Sequence, residues 1–115
     1  MKLQIRNHGV ELHDEARNVF EEQIRLALGR FVRRVGLVRI YLRDTNGPRG
    51  GPAYECRIVA ELLPRNRVIV SGEGVSVTAA LAGAANRIRL AVARQLKRRH
   101  ERRRPSRRRL IATAA

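Results

Sequence analysis

The sequence has a single cysteine and no long apolar run. One thiol, Cys56, excludes an internal disulfide framework and fits a protein of the reducing cytosol. No apolar stretch approaches the roughly 20 residues that a membrane-spanning helix needs. The first residues, Met-Lys-Leu-Gln-Ile-Arg, are too often interrupted by polar side chains to form the core of a signal peptide. We therefore expect a cytoplasmic protein that makes no contact with a membrane.

Acidic residues and lysine are also scarce. The chain has 25 Lys and Arg residues against 10 Asp and Glu residues, a formal net charge of +15 and a pI near 11.8. All the basic residues except Lys2 and Lys97 are arginine. Because guanidinium groups bind phosphate through two parallel hydrogen bonds and stack on bases, this composition favours an RNA partner. An apolar content of 43% indicates a globular protein rather than a disordered basic chain.

The spacing of apolar residues predicts the element order β-α-β-β-β-α. Alternating residues indicate strands, and apolar residues three to four apart indicate helices. The predicted strands are Lys2–Arg6, Leu37–Arg43, Tyr54–Leu63 and Val68–Gly72, and the predicted helices are Asp14–Arg30 and Ser76–Arg104. We expect an α+β domain over residues 1–104, with a four-stranded mixed sheet and both helices on one face. A basic tail at residues 105–115 is expected to be disordered.

The first helix is predicted to bury one stripe against the sheet. Its core positions are expected to be Ala16, Phe20, Ile24, Ala27 and Phe31, widened by Val19, Leu26 and Leu28. His13 is at the expected N-cap, with Asp14 as an alternative cap, and Gly36 is expected to end the helical segment. On the strands, alternation predicts an uncovered face that carries Lys2, Gln4, Arg6, Arg39, Tyr41, Arg43, Glu55, Arg57 and Glu61.

The last helix has two different sides. Ser76 is the expected N-cap, and Pro105 sets the far limit of the helix. Its apolar stripe contains Val77, Leu81, Ala84, Ala85, Ile88, Val92 and Leu96. Turned away from the stripe, Arg87, Arg94 and Arg98 form a row at intervals of about 10 and 6 Å along the helix axis. This arrangement predicts that one side packs in the core and the other contacts phosphates.

Two interpretations of the arginine row remain open. A charged outer side is normal for a surface helix, but such a side usually mixes signs to gain ion pairs. Between Ala79 and Arg104 the only acidic residue is Glu101, so a polyanion is needed to relieve the repulsion. The cluster Arg30, Arg33 and Arg34 either complements the helix dipole or contributes to binding. The predicted RNA-binding residues are Arg87, Arg94, Arg98, Lys97, Arg102, Arg30 and Arg33.

No combination of residues in the sequence indicates catalysis. His8, His13 and His100 are scattered, and one cysteine does not make a usual zinc site. Glu21 and Glu22 are adjacent, so they point away from each other on a helix. We predict no enzyme activity, no catalytic residue, no metal site, no cofactor and no small-molecule substrate. Surface aromatic residues are also too few for the stacking platforms of single-strand binders, which favours recognition of RNA backbone and shape.

Several short motifs lie between Lys2 and about Arg98: the opening Leu3-Gln4-Ile5, Val10-Glu11-Leu12 with Arg17, Val70-Ser71-Gly72-Glu73 and Asn86-Arg87-Ile88. In this order they resemble the family of ribosome hibernation-promoting factors and ribosome-associated inhibitors. The resemblance implies the same element order, which is related in shape to double-stranded RNA-binding domains. It also implies that Arg87, Arg94 and Arg98 stand where the family has lysines.

Several positions depart from the family pattern. Ser76-Val77-Thr78 replaces a common Asp-Met-Tyr at the start of the last helix, and His13-Asp14 replaces Ser/Thr-Pro at the start of the first. Some family members end in an acidic tail, whereas this sequence ends in a basic one, and we expect the short form of the family, without the C-terminal dimerisation domain of the long members. We expect a protein that is monomeric when it is not bound.

The resemblance implies a function in translation. We expect the protein to bind ribosomal RNA of the small ribosomal subunit, in the channel used by messenger and transfer RNA, and to inhibit translation by occupying it. Such hibernation factors act under stress and in stationary phase. One alternative is a general structured-RNA-binding protein of the same fold. Another is a regulator that binds an acidic protein.

Overall fold

The structure, a computed structural model, describes residues 1–45 and 53–103, and it describes side chains as far as Arg98. The predicted order β-α-β-β-β-α is confirmed. The elements are β1 Lys2–His8, α1 Asp14–Leu28, a 3-10 helix Gly29–Arg34, β2 Val35–Asp44, β3 Tyr54–Leu62, β4 Arg67–Gly74 and α2 Val77–Arg103. The predicted tail at residues 105–115 and most of the predicted loop between β2 and β3 lie outside the described residues.

The four strands form one mixed sheet in the order β1-β2-β3-β4. β1 and β2 are parallel because α1 connects them, whereas β2, β3 and β4 follow one another as antiparallel neighbours. The buried side chains of α1, α2 and the strands form a single hydrophobic cluster, except Val59, which lies on the other face of the sheet. Both helices therefore cover one face of the sheet and leave the other face open, as predicted. In the described part of the chain, no helix is long and apolar enough to span a membrane.

α1 differs from its prediction in two respects. Phe20, Ile24 and Leu28 are buried, but Val19 and Leu26 are 53% and 71% exposed. The prediction that they widen the core stripe is wrong, because they point away from the sheet. The N-cap is His13, whose side chain makes no capping hydrogen bond, and Asp14 is the first helical residue.

The end of α1 was also predicted wrongly. The α-helix stops at Gly29, whose φ of 53° lies in the left-handed region that glycine adopts without strain. A 3-10 helix then carries the chain to Arg34, and the expected terminator Gly36 lies within β2. A register shift between Val35 and Leu37 places Gly36 in a β-bulge, which suits a residue without a side chain.

α2 packs very closely on β4. A Cβ atom placed on Gly72 would come within 2.5 Å of the Ala80 carbonyl oxygen and the Ala84 nitrogen, and one on Gly74 would meet Ala79 and Ala80 at 2.7 Å. α2 can lie this close to β4 because β4 has glycine, and α2 has alanine, at the points of contact. Ser76 caps α2 as predicted, since its Oγ accepts a hydrogen bond from the Ala79 N–H at 3.1 Å.

Candidate nucleic-acid interface

The two sides of α2 are arranged as predicted. Leu81, Ala84, Ile88 and Val92 have no exposed surface and fill the core above β3 and β4. The side chains of Arg87, Arg94, Lys97 and Arg98 are exposed. Arg102 lies on the helical backbone, but its side chain lies outside the described part. The helix therefore presents basic groups to solvent while its aliphatic side holds it on the sheet.

Arg87 has an additional role that the sequence did not indicate. Its Nη1 donates a short hydrogen bond to the backbone carbonyl of Ser71 on β4. β4 is one of the two edge strands, so this bond places the arginine row on the side of α2 that borders the β4 edge of the sheet. A guanidinium group has five N–H donors, and one such bond leaves others for a phosphate. Arg87 thus ties α2 to the sheet next to Arg94 and Arg98.

The packing of α2 on β4 also sets the position of the α2 arginines along the strand direction of the sheet. Gly72 contacts Ala84, Gly74 contacts Ala79 and Ala80, and α2 therefore runs antiparallel to β4. From Gly72 back to the start of β4 at Arg67 is about 17 Å, a distance that a helix covers in about eleven residues. Eleven residues after Ala84, α2 reaches residue 95, and this position of the helix is therefore level with the start of β4. Arg94, Lys97 and Arg98 consequently lie at and beyond this end of the sheet.

The cluster at the end of α1 lies at the same end. The 3-10 helix leads directly into β2, and β2 starts where β3 ends and β4 starts. A hydrogen bond of 2.8 Å from the Leu63 N–H to the Arg34 carbonyl oxygen joins the 3-10 helix to the β3–β4 turn. Arg30 and Arg33 are exposed there, and the Arg30 guanidinium carbon lies 5.0 Å from the centre of the Phe31 ring. The fold therefore gathers two basic segments that are about 60 residues apart in sequence.

The β3–β4 turn adds arginines that the prediction did not include. Arg65 lies in the turn and Arg67 at the start of β4, and both are exposed. The directions of the predicted strands could have indicated these arginines, because a hairpin turn after β3 must lie at the end of the sheet where β2 starts. We call the resulting group the basic end, and it comprises Arg30, Arg33, Arg34, Arg65, Arg67, Arg94, Lys97 and Arg98.

Within the described residues no carboxylate forms an ion pair with the basic end, and Glu61, which lies opposite Arg67 across β3 and β4, is paired with Arg39 instead. The ion pairs among the described residues are Arg25–Glu21 at 3.0 Å, Arg39–Glu61 at 3.6 Å and Arg43–Glu55 at 3.5 Å. None of them includes a member of the basic end. By contrast, Arg25 on α1 forms an ion pair with Glu21, which lies one helical turn away. Like charges held together without partners repel one another, and a polyanion relieves that repulsion.

Among the described residues, the groups that could bind a metal or act as a thiol nucleophile are spread out or buried. No three His, Cys, Asp or Glu side chains among the described residues are close enough to hold a metal ion. Cys56 has no exposed surface, and burial, with a smaller contribution from the charge of Glu55, raises the pKa of its thiol to about 12. A thiol with that pKa is protonated at neutral pH and is a poor nucleophile.

The architecture defines a class: an α+β domain with a β-α-β-β-β-α order, one open sheet face and a long basic helix at the sheet edge. Solved structures share this fold, among them the two described next. One, described as a ribosomal subunit interface protein from Coxiella burnetii, superposes with a TM-score of 0.71 at 10% identity, covering 84% of this chain and 99% of that one. The other, the Protein Y N-terminal domain of Thermus thermophilus, has a TM-score of 0.65 at 23% identity, covering 82% and 98%.

These comparisons confirm the predicted fold, and both structures agree with the family that the sequence resembles. No protein-family model and no curated protein sequence matches the chain. At identities of 10% and 23% the likeness establishes architecture. Function must therefore be argued from the side chains.

Proposed function

We propose that the protein is a ribosome-associated translation inhibitor that binds ribosomal RNA of the small subunit through its basic end. The observation that carries this proposal is the gathering of eight exposed basic side chains, from three separate segments, without a carboxylate partner among the described residues. One solved structure with this fold is that of a ribosomal subunit interface protein, which supports the choice of the ribosome among structured RNAs.

The mechanism is occupancy of the channel used by messenger and transfer RNA. Arg94 and Arg98 lie about 6 Å apart along α2 and contact successive phosphates, while Arg30 and Arg33 approach the RNA from the neighbouring 3-10 helix. α2 is held on the sheet by its buried side and by Arg87, so the basic groups meet the RNA with little loss of backbone freedom. A domain docked in this way blocks the channel sterically, and no chemical step is required.

Co-sedimentation with ribosomes tests the proposal. The variant Arg94→Gln/Arg98→Gln removes two charges from the basic end, and Arg17→Gln/Arg25→Gln removes two from α1, outside both the basic end and the open sheet face. We expect the first variant to lose most of its co-sedimentation with isolated small subunits at moderate salt and to lose inhibition of cell-free translation. The second variant should retain both activities.

Four outcomes would contradict the proposal. Equal losses by the two variants would show that net charge alone controls binding. Equal binding to isolated large and small subunits, or equal displacement by an unrelated folded RNA, would favour the general RNA-binding alternative. Binding that resists both competing RNA and salt would favour an acidic protein partner.

A further inference from the structure

The open face of the sheet contains an ordered pattern of basic, aromatic and apolar side chains. Cross-strand pairing places Arg6 opposite Tyr41 and Tyr41 opposite Arg57, so the ring has an arginine on each side in one row across β1, β2 and β3. The adjacent row pairs Arg39 with Val59 and Val59 with Ile69. Neighbouring strands are about 4.8 Å apart, so these side chains form one continuous surface.

A depression of about 450 Å³ lies in this face. It is lined by Arg39, Tyr41, Arg43, Glu55, Arg57, Val59, Arg67 and Ile69. Val59 is only 6% exposed although it points away from the helices, whereas Ile69 is 48% exposed and Tyr41 partly exposed. The depression therefore combines an apolar floor and an aromatic ring with four arginines and one glutamate.

We propose that this open face is a second RNA-binding site, which takes single-stranded RNA with a base stacked on Tyr41 and phosphates held by Arg6 and Arg57. The site lies on the face of the sheet opposite the helices, and of the residues that line its depression only Arg67 belongs to the basic end. It also goes beyond inhibition by occupancy: the protein would hold an unpaired RNA segment on one side while α2 contacts folded RNA.

The charge pattern favours RNA over an acidic peptide. Two of the three glutamates on this face are paired with arginines, since Glu61 lies 3.6 Å from Arg39 and Glu55 lies 3.5 Å from Arg43, and the third, Glu73, is on β4, two strands away from Tyr41. Arg6 and Arg57 form no ion pair within the described part of the chain. They flank an aromatic ring, and a base supplies a π-face for that ring where an acidic side chain supplies none.

Surface aromatic residues are too few for an extended stacking platform, but one ring is enough to stack one base, and the shape of the depression favours a single strand over a duplex. The bases of a duplex are stacked on each other, so Tyr41 has access only to bases of an unpaired segment. A depression in a sheet face admits one or a few extruded bases, and flanking arginines follow the sugar-phosphate backbone on either side.

The absence of tryptophan makes Tyr41 directly observable. The chain has two tyrosines, Tyr41 and Tyr54, and Tyr54 packs against the core on the other face. In a Tyr54→Phe variant the tyrosine emission comes from Tyr41 alone. We expect a short oligouridine to quench this emission in a saturable way, and an abasic oligomer of equal length to leave it largely unchanged.

Affinity measurements provide the second arm of the test. With a fluorescein-labelled oligouridine, Tyr41→Ala should weaken binding by about ten-fold, the loss typical of one stacked base, and Tyr41→Phe should keep near-native affinity because it keeps the ring. Arg57→Gln should lower the slope of log K against log salt by about 0.7. Arg94→Gln, on the helix, should preserve the quenching of Tyr41.

Four results would overturn this inference. They are an absence of quenching in the Tyr54→Phe variant, equal affinity of the abasic and uridine oligomers, equal affinity of Tyr41→Ala and the parent protein, and displacement of the oligouridine by polyglutamate as effectively as by RNA. Because these measurements use no ribosome, their failure is distinguishable from a failure of the ribosome-binding proposal.

Discussion

Gly72 of β4 and Ala84 of α2 are in backbone contact: a Cβ atom on Gly72 would come within 2.5 Å of the Ala84 nitrogen. This contact sets the distance between the long helix and the edge strand. The contact also fixes where Arg94, Lys97 and Arg98 lie relative to the end of the sheet, because a helix is rigid along its axis. A small residue pair in the core therefore controls where the basic end presents its charges.

Gly72→Ala should destabilise the protein by about 1–3 kcal/mol, because the new methyl group meets backbone atoms that cannot rotate away. Urea-induced unfolding measures the change. The matched control is Gly83→Ala on α2, where a new Cβ meets the Gly72 Cα at an ordinary 3.9 Å. That control should stabilise the protein by up to about 1 kcal/mol through helix propensity. Equal destabilisation by both changes would show that the close approach is not the cause.

Arg87→Gln should lower the free energy of unfolding by about 0.5–1.5 kcal/mol, because glutamine is too short to keep the hydrogen bond to the Ser71 carbonyl. Arg94→Gln, which removes the same charge from the same helix, should change stability by less than about 0.5 kcal/mol. Chemical denaturation of both variants at one salt concentration makes the comparison. If Arg94→Gln is as destabilising as Arg87→Gln, the hydrogen bond from Arg87 to Ser71 has no stabilising role.

Ser76→Ala should cost about 1 kcal/mol, since it leaves the Ala79 N–H at the start of α2 without its side-chain acceptor. Ser76→Asp should keep most of the stability, because a carboxylate accepts the same bond and suits the helix N-terminus. Thermal unfolding followed by circular dichroism tests the pair. A Ser76→Asp variant as unstable as Ser76→Ala would contradict capping.

Cys56 should resist thiol reagents in the native protein at neutral pH and react after unfolding. Its pKa is raised from 9.0 to about 12 by burial, so the folded state keeps the proton that the unfolded state loses above about pH 9. The stability contributed by the protonated thiol is complete below pH 9 and is lost as the pH rises towards 12. The stability of the parent relative to Cys56→Ala should therefore fall between pH 9 and 11. A pH-independent difference would contradict the raised pKa.

Arg94→Gln should reduce the salt dependence of binding to folded small-subunit ribosomal RNA, lowering the slope of log K against log salt by about 0.9. Arg25→Gln, on α1, removes the same charge at a position already paired with Glu21 at 3.0 Å. It should leave the slope nearly unchanged. Filter binding over a series of salt concentrations gives both slopes, and equal slopes for the two variants would exclude Arg94 from the phosphate contacts.

Local patterns in the sequence were sufficient for the element order, the Ser76 cap and the two sides of α2. Each depends on residues within one or two turns of each other, and the chain obeys the corresponding spacing rules. The prediction was wrong at the end of α1, where Gly29 rather than Gly36 stops the helix, and at Val19 and Leu26, which are exposed. Periodicity shows that apolar residues share a side of a helix, but the width of the buried stripe depends on what packs against it.

By itself the sequence determined the fold class, the excess of positive charge and the identity of most candidate RNA contacts, because these follow from composition and short-range spacing. Only the tertiary structure decided that Arg87 bonds to Ser71, that the β3–β4 turn joins Arg30 and Arg33 at one end of the sheet, and that Tyr41 lies between Arg6 and Arg57. Those relationships join residues far apart in the chain. They arise from strand direction, register and the close packing of α2, which no local pattern encodes.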